Sequence, residues 1–234
     1  MGLTINYSLK CDAENPEIAM EKLSKLHEIA KDLPFAEVSE IIEVNEDDYL
    51  TETKDFSDFK SWIKVMSYKY VDTDDGSYYK IAPEKAIAFN VWPGEGCESA
   101  TFGLAIYPKE NESDRHSWSW SSFCKTQYAS NPEYGGIEHF VKCHLSIIKL
   151  LDEAKKMDMI YRVSDEGGYW KKRNLQELIS CVEEYNTLVA AVVGGLGDIF
   201  GQASHVESYS PISEFPNFEY LEAEGMQQMD DKDE

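Results

Sequence analysis

The sequence lacks the features that mark several large classes of protein. A spanning helix needs ~20 consecutive apolar residues, and the longest nearly apolar stretch, Leu188 to Leu196, falls far short of that. The chain does not open with a basic segment followed by an apolar one, so no secretory signal is expected. Basic residues are scarce: 22 Lys and Arg stand against 44 Asp and Glu, for a net charge of −22. Phosphate backbones and anionic lipids both call for a basic face, so neither nucleic acid nor membrane is an expected partner. Cys11, Cys97, Cys124, Cys143 and Cys181 contain no C-x-x-C pair, which disfavours structural zinc and thioredoxin-type redox sites. An odd set of thiols without an export signal fits a reducing cytoplasm, with cysteines serving as small buried hydrophobes. The signatures G-x-S-x-G, H-E-x-x-H and G-x-G-x-x-G are absent as well. Asp72-Thr73-Asp74-Asp75-Gly76 resembles part of a calcium loop, but Val71 stands at its first ligand position and Ala82 at its twelfth. Gly194-Gly195-Leu196-Gly197 follows a helical pattern and lacks G-K-[ST], so it is not a phosphate loop. No metal and no cofactor is expected.

What the sequence does have is material for a core. Of 234 residues, 42% are apolar and 12% aromatic, enough to exclude wholesale disorder. Leu3, Ile5, Tyr7 and Leu9 alternate as a half-buried strand. Asn15-Pro16 reads as an N-cap and first helical residue, and Ile18, Ala19, Leu23, Leu26, Ala30 and Leu33 follow at helical spacing up to Pro34. Phe35 to Val44 reads as a second strand, which makes an opening β-α-β. The acidic stretch 45–58 reads as a surface excursion. Alternation predicts a strand over Trp62 to Tyr70, returning through an Asp75-Gly76 turn to Tyr78–Ile81. Ala86–Trp92 and Thr101–Tyr107 form a second hairpin. Ser117 to Ala129 is the clearest strand: Trp118, Trp120, Ser122 and Cys124 lie on one face, and Ser119, Ser121, Phe123, Lys125 and Gln127 on the other. Its aromatic residues imply an interior place in the sheet, buried on both faces.

After the turn at Asn131-Pro132 and Gly135-Gly136, a helix carries the stripe Ile137, Phe140, Val141, His144, Ile148, Leu151 and Ala154. A short strand, Met159–Val163, leads to the loop Ser164–Trp170. The last helix starts at Asn174, with Glu177 at capping-box spacing, and Gly194, Gly195 and Gly197 are expected to end or kink it. Beyond His205 the periodicity fades, and Leu221 to Glu234 holds six acids and one Lys. Phe215, Phe218 and Tyr220 are candidates to dock on the body. The order of elements predicts an α+β fold: a single mixed, mainly antiparallel β-sheet with helices packed on one side. Residues 1–204 are expected to form one domain, and 205–234 an acidic, partly disordered tail.

Three places carry candidate chemistry. Asp165 and Glu166 follow a strand, precede two glycines and are flanked by Tyr169 and Trp170. Two carboxylates there can act as base, metal ligand or hydroxyl clamp, with the aromatics as a wall; an acidic turn before a helix N-terminus is the plain alternative. As exposed positions, their conversion to amides should change stability by less than ~1 kcal/mol. His144 sits on an apolar stripe, as an acid, base or ligand or as a core histidine. Lys125 and Gln127 are candidates to line a polar-aromatic groove on an open sheet face. His139 and Cys143 stand at i, i+4, but two ligands do not make a metal site. His116, His205 and His27 have no evident partner.

Met1-Gly2-Leu3-Thr4-Ile5-Asn6-Tyr7, Phe123-Cys124-Lys125-Thr126-Gln127-Tyr128-Ala129 and Val163-Ser164-Asp165-Glu166-Gly167-Gly168-Tyr169-Trp170 resemble a family of uncharacterised bacterial proteins. The resemblance implies a bacterial cytoplasmic origin and brings no activity, ligand or catalytic residue with it. Two function classes follow from the residues. One is a binding module whose negative charge steers a protein or small-molecule partner, as an inhibitor or immunity-type protein would. The other is a hydrolase or transferase built on His144, Asp165 and Glu166. The distance of His144 from the carboxylates, and the presence of a concave pocket around them, separates the two.

Overall fold

The structure is a computed structural model and describes residues 3–13, 15–51, 58–73, 77–109, 117–200, 210–218 and 221–222. Strand β1 (Thr4–Cys11) buries Ile5, Tyr7, Leu9 and Cys11, as its alternation predicts. Helix α1 (Pro16–Asp32) starts where Asn15 accepts a hydrogen bond from the Glu17 amide, and it buries Ala19, Leu23, Leu26, His27 and Ala30. The expected strand over Phe35–Val44 is broken into β2 (Glu37–Val38) and β3 (Ile42–Asn45). Both pair antiparallel with β6 (Lys85–Trp92), so the opening segment is not a parallel β-α-β unit. Between them the Ser39 hydroxyl accepts the Asn90 amide, which spends a ladder bond on a side chain.

The region after Asp58 departs most from its pattern. Helix α2 (Phe59–Ser67) stands where alternation predicts a strand, and only β4 (Lys69–Asp72) and β5 (Tyr78–Ile81) form the antiparallel ribbon. Asp58 caps the helix by accepting from the Ser61 amide. Phe59, Ile63, Met66 and Ser67 also satisfy the helical period, and that set faces inward while Trp62 stays 40% exposed. The Asp75-Gly76 turn lies outside the described residues, as do His116, His205 and Tyr220.

The remaining strands are β7 (Ala100–Ile106), β8 (Trp118–Lys125) and β9 (Ile160–Asp165). They complete a seven-stranded sheet in the order β2-β6-β7-β8-β1-β9, with β3 also on β6. Every described pairing is antiparallel. The fold is therefore α+β with a mainly antiparallel sheet, as expected. Helices α1 and α3 (Gly136–Lys156) pack together over one face, where Phe89, Phe102 and Tyr7 stack. The short α2 lies over the other face at the β6–β7 end: its Trp62 donates to Thr101, whose partner in register, Asn90, points away from Phe89. Strand β8 lies inside the sheet, but only its Trp118, Trp120, Ser122 and Cys124 face is buried; Ser119, Ser121 and Phe123 are exposed.

Helices α4 (Tyr169–Lys172) and α5 (Leu175–Phe200) follow β9. Asn174 caps α5 by accepting from the Gln176 amide and donating to Glu177. The helix runs through Gly194, Gly195 and Gly197 instead of ending there. Each glycine costs about 1 kcal/mol in helix propensity but keeps its N–H, unlike proline, and the preceding turns are anchored by buried Val189, Ala190 and Ala191. Ile212, Phe215 and Leu221 pack against Val189 and Ala190, with Phe218 beside them. Among the described residues no helix is long and apolar enough to cross a membrane.

Candidate functional site: a closed His–Asp pair and an acidic groove

The helical stripe of α3 carries His144 inward, with the Phe140 ring 5.5 Å away. Asp165, the last residue of β9, stands opposite Ile5 of β1, and its side chain enters the same inner layer. The two meet: His144 Nε2 is 3.4 Å from Asp165 Oδ1. This approach is close but is not an aligned hydrogen bond, and Nε2 has no hydrogen-bond partner. The other ring nitrogen, Nδ1, bonds the Thr126 hydroxyl at 2.9 Å. Asp165 is held more firmly by backbone: Oδ1 accepts from the Gly167 amide and Oδ2 from the Trp170 amide, both at 2.8 Å. Burial pushes the Asp165 carboxyl up, but the facing His144 and the two amides outweigh it, and the group sits below the usual carboxylate range.

His144 and Asp165 are therefore brought together, as a catalytic pair would be, but in the interior. Their side chains are 0% and 1% exposed, and neither lines any of the grooves described below. The expectation that Asp165 is an exposed carboxylate is corrected on this point. The carboxylate fastens the β9–α4 turn to α3. Glu166 points elsewhere: it is exposed, and its Oε2 accepts from the Thr4 amide at 2.8 Å, closing the end of the β1–β9 ladder.

Tyr169 and Trp170 do not stand as an open wall. The Arg173 guanidinium lies 4.9 Å from the Trp170 ring centre and 5.8 Å from that of Tyr169. Arg173 is itself fixed by two parallel bonds of 2.7 Å to Asp152 on α3. The aromatics and the bidentate pair thus dock α4 onto the end of α3.

Lys125 forms an ion pair of 2.9 Å with Glu98 at the rim of a groove of about 320 Å³. Gln127 lies elsewhere than its period predicts. The strand stops at Lys125, and a 3-10 turn over Gln127–Ser130 swings the side chain inward. There it is fully buried, accepting from the Leu3 amide at 2.9 Å and donating to Asn186 Oδ1 at 3.0 Å. Asn186 donates in turn to Ser130, whose hydroxyl returns to the Gln127 carbonyl. This closed circuit ties β1, the turn and α5 together, and the Gln127 amide keeps no free end for a ligand. The open sheet face does form a groove of about 470 Å³, lined by Asn6, Ser8, Ser121, Phe123 and Arg162 with Met66 of α2 at its border. Gln127 is not part of it.

The largest described groove, about 560 Å³, lies on the far side of the same circuit. Ser130, Asn186 and Thr187 make its polar floor, and Ile137, Phe215 and Leu221 an apolar wall. Among the described residues of its lining, Glu183 and Glu184 of α5 are the charged ones and none is Lys or Arg. Sequence reading leaves this site out, because its wall comes from the segment after residue 210. The only local signal is the Glu183-Glu184 pair beside Asn186-Thr187 on the last helix. Among the described residues no three His, Cys, Asp or Glu side chains gather as a metal site. No protein-family model matches the chain, and no curated protein matches it in sequence.

Proposed function

We propose that this chain is an acidic binding module of the cytoplasm, and that it takes a basic group of its partner into the groove between α5, the Gln127–Ser130 turn and the Pro211–Leu221 segment. The observation that carries this reading is the lining of that groove: two carboxylates, buried amide and hydroxyl groups, an apolar wall and, among the described residues, no cation. A lysine or arginine side chain matches it, with the stem on Ile137 and Phe215 and the charge at Glu183 and Glu184. The net charge of −22 adds long-range attraction for a basic partner. The hydrolase or transferase reading loses support from the burial of His144 and Asp165, since a general base must come within hydrogen-bond reach of its substrate. Calorimetric titration with a tri-arginine peptide tests the proposal, with tri-glutamine as control. Binding at one site is expected, weakened about tenfold or more, ~1.4 kcal/mol, by Glu183→Gln with Glu184→Gln. Equal affinity in wild type and variant would show attraction to overall charge only and would overturn the assignment.

A further inference from the structure

The five cysteines are all free thiols, and where the β6–β7 loop crosses α3, Cys97 packs against the small buried cluster that holds Cys143. Cys143, in the second turn of α3, is fully buried. Its sulfur lies 3.4 Å from the Pro93 carbonyl and 3.5 Å from His139 Nε2, one turn back on the same helix. The loop 93–98 is pressed onto this surface. An added Cβ at Gly94 would lie 2.9 Å from the His139 ring and 3.3 Å from the Cys143 sulfur, so only glycine lets the backbone approach so closely. At Gly96, with φ +75°, an added Cβ would meet the Tyr128 carbonyl at 2.4 Å. Cys97 follows directly. Its amide bonds the Gly94 carbonyl, and its own carbonyl accepts from the Trp92 indole. The side chain packs into the small cluster of Leu3, Ala129, Phe140 and Cys143.

The two thiols differ in access. Cys143 has none, whereas Cys97 is half-buried and opens onto the groove of about 320 Å³ shared with Lys125, Tyr128 and Tyr134. His139 Nε2 also faces the Glu95 carbonyl at 3.0 Å, so its N–H is a donor here, shared between that oxygen and the Cys143 sulfur. That donor faces the sulfur from one side, while the Cys143 S–H itself donates to the Pro93 carbonyl.

We propose that Cys97 and Cys143 are a redox-active pair, which a hydroperoxide entering from the Cys97 side converts to an intrachain disulfide. In the first step the Cys97 sulfur attacks the terminal peroxide oxygen. An S–O bond forms, the O–O bond breaks, and the departing alkoxide or hydroxide leaves with the Cys97 proton. In the second step Cys143 attacks the sulfenic sulfur of Cys97. The S–S bond forms, the S–O bond breaks, and hydroxide leaves with the Cys143 proton as water. Two thiols are oxidised by two electrons, and the peroxide is reduced to one water and one alcohol, or to two waters from hydrogen peroxide. The state of the thiols suits this order of roles. The Cys97 S–H as donor, against burial and with help from Lys142, holds Cys143 below the usual thiol range, ready for the second step. Cys97 is raised by that same contact and then by burial, so the first step is slow at neutral pH and accelerates as pH rises.

The test uses the full chain treated with hydrogen peroxide, blocked with N-ethylmaleimide, digested without reductant and mapped by mass spectrometry. A peptide linking Cys97 to Cys143, two hydrogens lighter than its parts and reversed by dithiothreitol, is expected, forming about thirtyfold faster at pH 8.5 than at pH 7. Cys143→Ser should stop the sequence at Cys97 sulfenic acid, trapped as its dimedone adduct, with no linked peptide. His139→Gln should slow formation of the link without slowing that adduct in the Cys143→Ser background. Recovery of Cys97 and Cys143 as separate maleimide adducts after Cys181 has been oxidised would overturn the proposal. So would linkage of Cys97 to Cys124 or to a second chain.

Discussion

Replacing Asp165 separates a structural carboxylate from a solvated one. In Asp165→Ala the Gly167 and Trp170 amides lose their acceptor, and His144 loses the charge that faces it. An orphaned buried amide costs about 1–3 kcal/mol. Two part-buried amides lose their acceptor here, so about 2–4 kcal/mol is expected in total. That is a large share of the ~5–15 kcal/mol that holds a domain folded. For a domain of this size it corresponds to a fall of roughly 4–16 °C in Tm. Urea titration followed by tryptophan fluorescence gives the midpoint, and an unchanged slope confirms that stability alone has moved. Asp165→Asn keeps one acceptor but turns an NH₂ toward the other amide, for a loss of about 1–3 kcal/mol. The pH dependence follows from the lowered carboxyl. A folded pKa below the unfolded value of ~3.9 gives stability that is present above that value and lost as pH falls through the folded one. The lead of wild type over Asp165→Asn should therefore be constant near neutrality and shrink below about pH 4. A cost under ~1 kcal/mol for Asp165→Ala, the level of a surface change, would refute the reasoning and return Asp165 to the role of an accessible carboxylate.

Ending the chain at Leu221 should leave Tm within about 1 °C of wild type, since the residues beyond it hold too few apolar groups to offset their ordering entropy. Ending it at Ser210 removes Ile212, Phe215 and Leu221 from Val189 and Ala190, and should cost about 2–4 kcal/mol by calorimetry after the entropy of docking is discounted. Gly96→Ala should cost roughly 2 kcal/mol or more in urea unfolding, because the new methyl meets backbone at Tyr128 that cannot turn aside; a neutral result would mean that the 93–98 loop does not lie as close to Tyr128 as described.

Much of the fold could be read from local periodicity. The alternation of Ile5, Tyr7, Leu9 and Cys11, the Asn15-Pro16 start and the stripe from Phe140 to Ala154 each have one low-energy solution that needs no distant information. Trp62–Tyr70 failed because its residues satisfy the periods of strand and helix together, and packing of Phe59 and Ile63 against the core chose between them. Sequence also singled out His144, on an apolar helical stripe, and Asp165, in the loop after a strand. It left the role of His144 open and took Asp165 as exposed, because periodicity tells which face a side chain takes but not what covers that face.

The remaining features were decided by tertiary structure. Extending a period of two past Lys125 puts Gln127 on the outer face, whereas a single turn at Thr126 reverses it into a circuit with Leu3 and Asn186, remote in the chain. The acidic groove draws Ser130, Glu183 and Phe215 from three separate segments, and the thiol pair needs a glycine loop laid across a helix that begins some forty residues later. The sequence by itself determined the charge, the core-forming elements and their periods, because these depend on neighbours along the chain. Which polar groups are closed in and which line a groove was left to the packing, since burial is set by contacts among residues far apart in sequence.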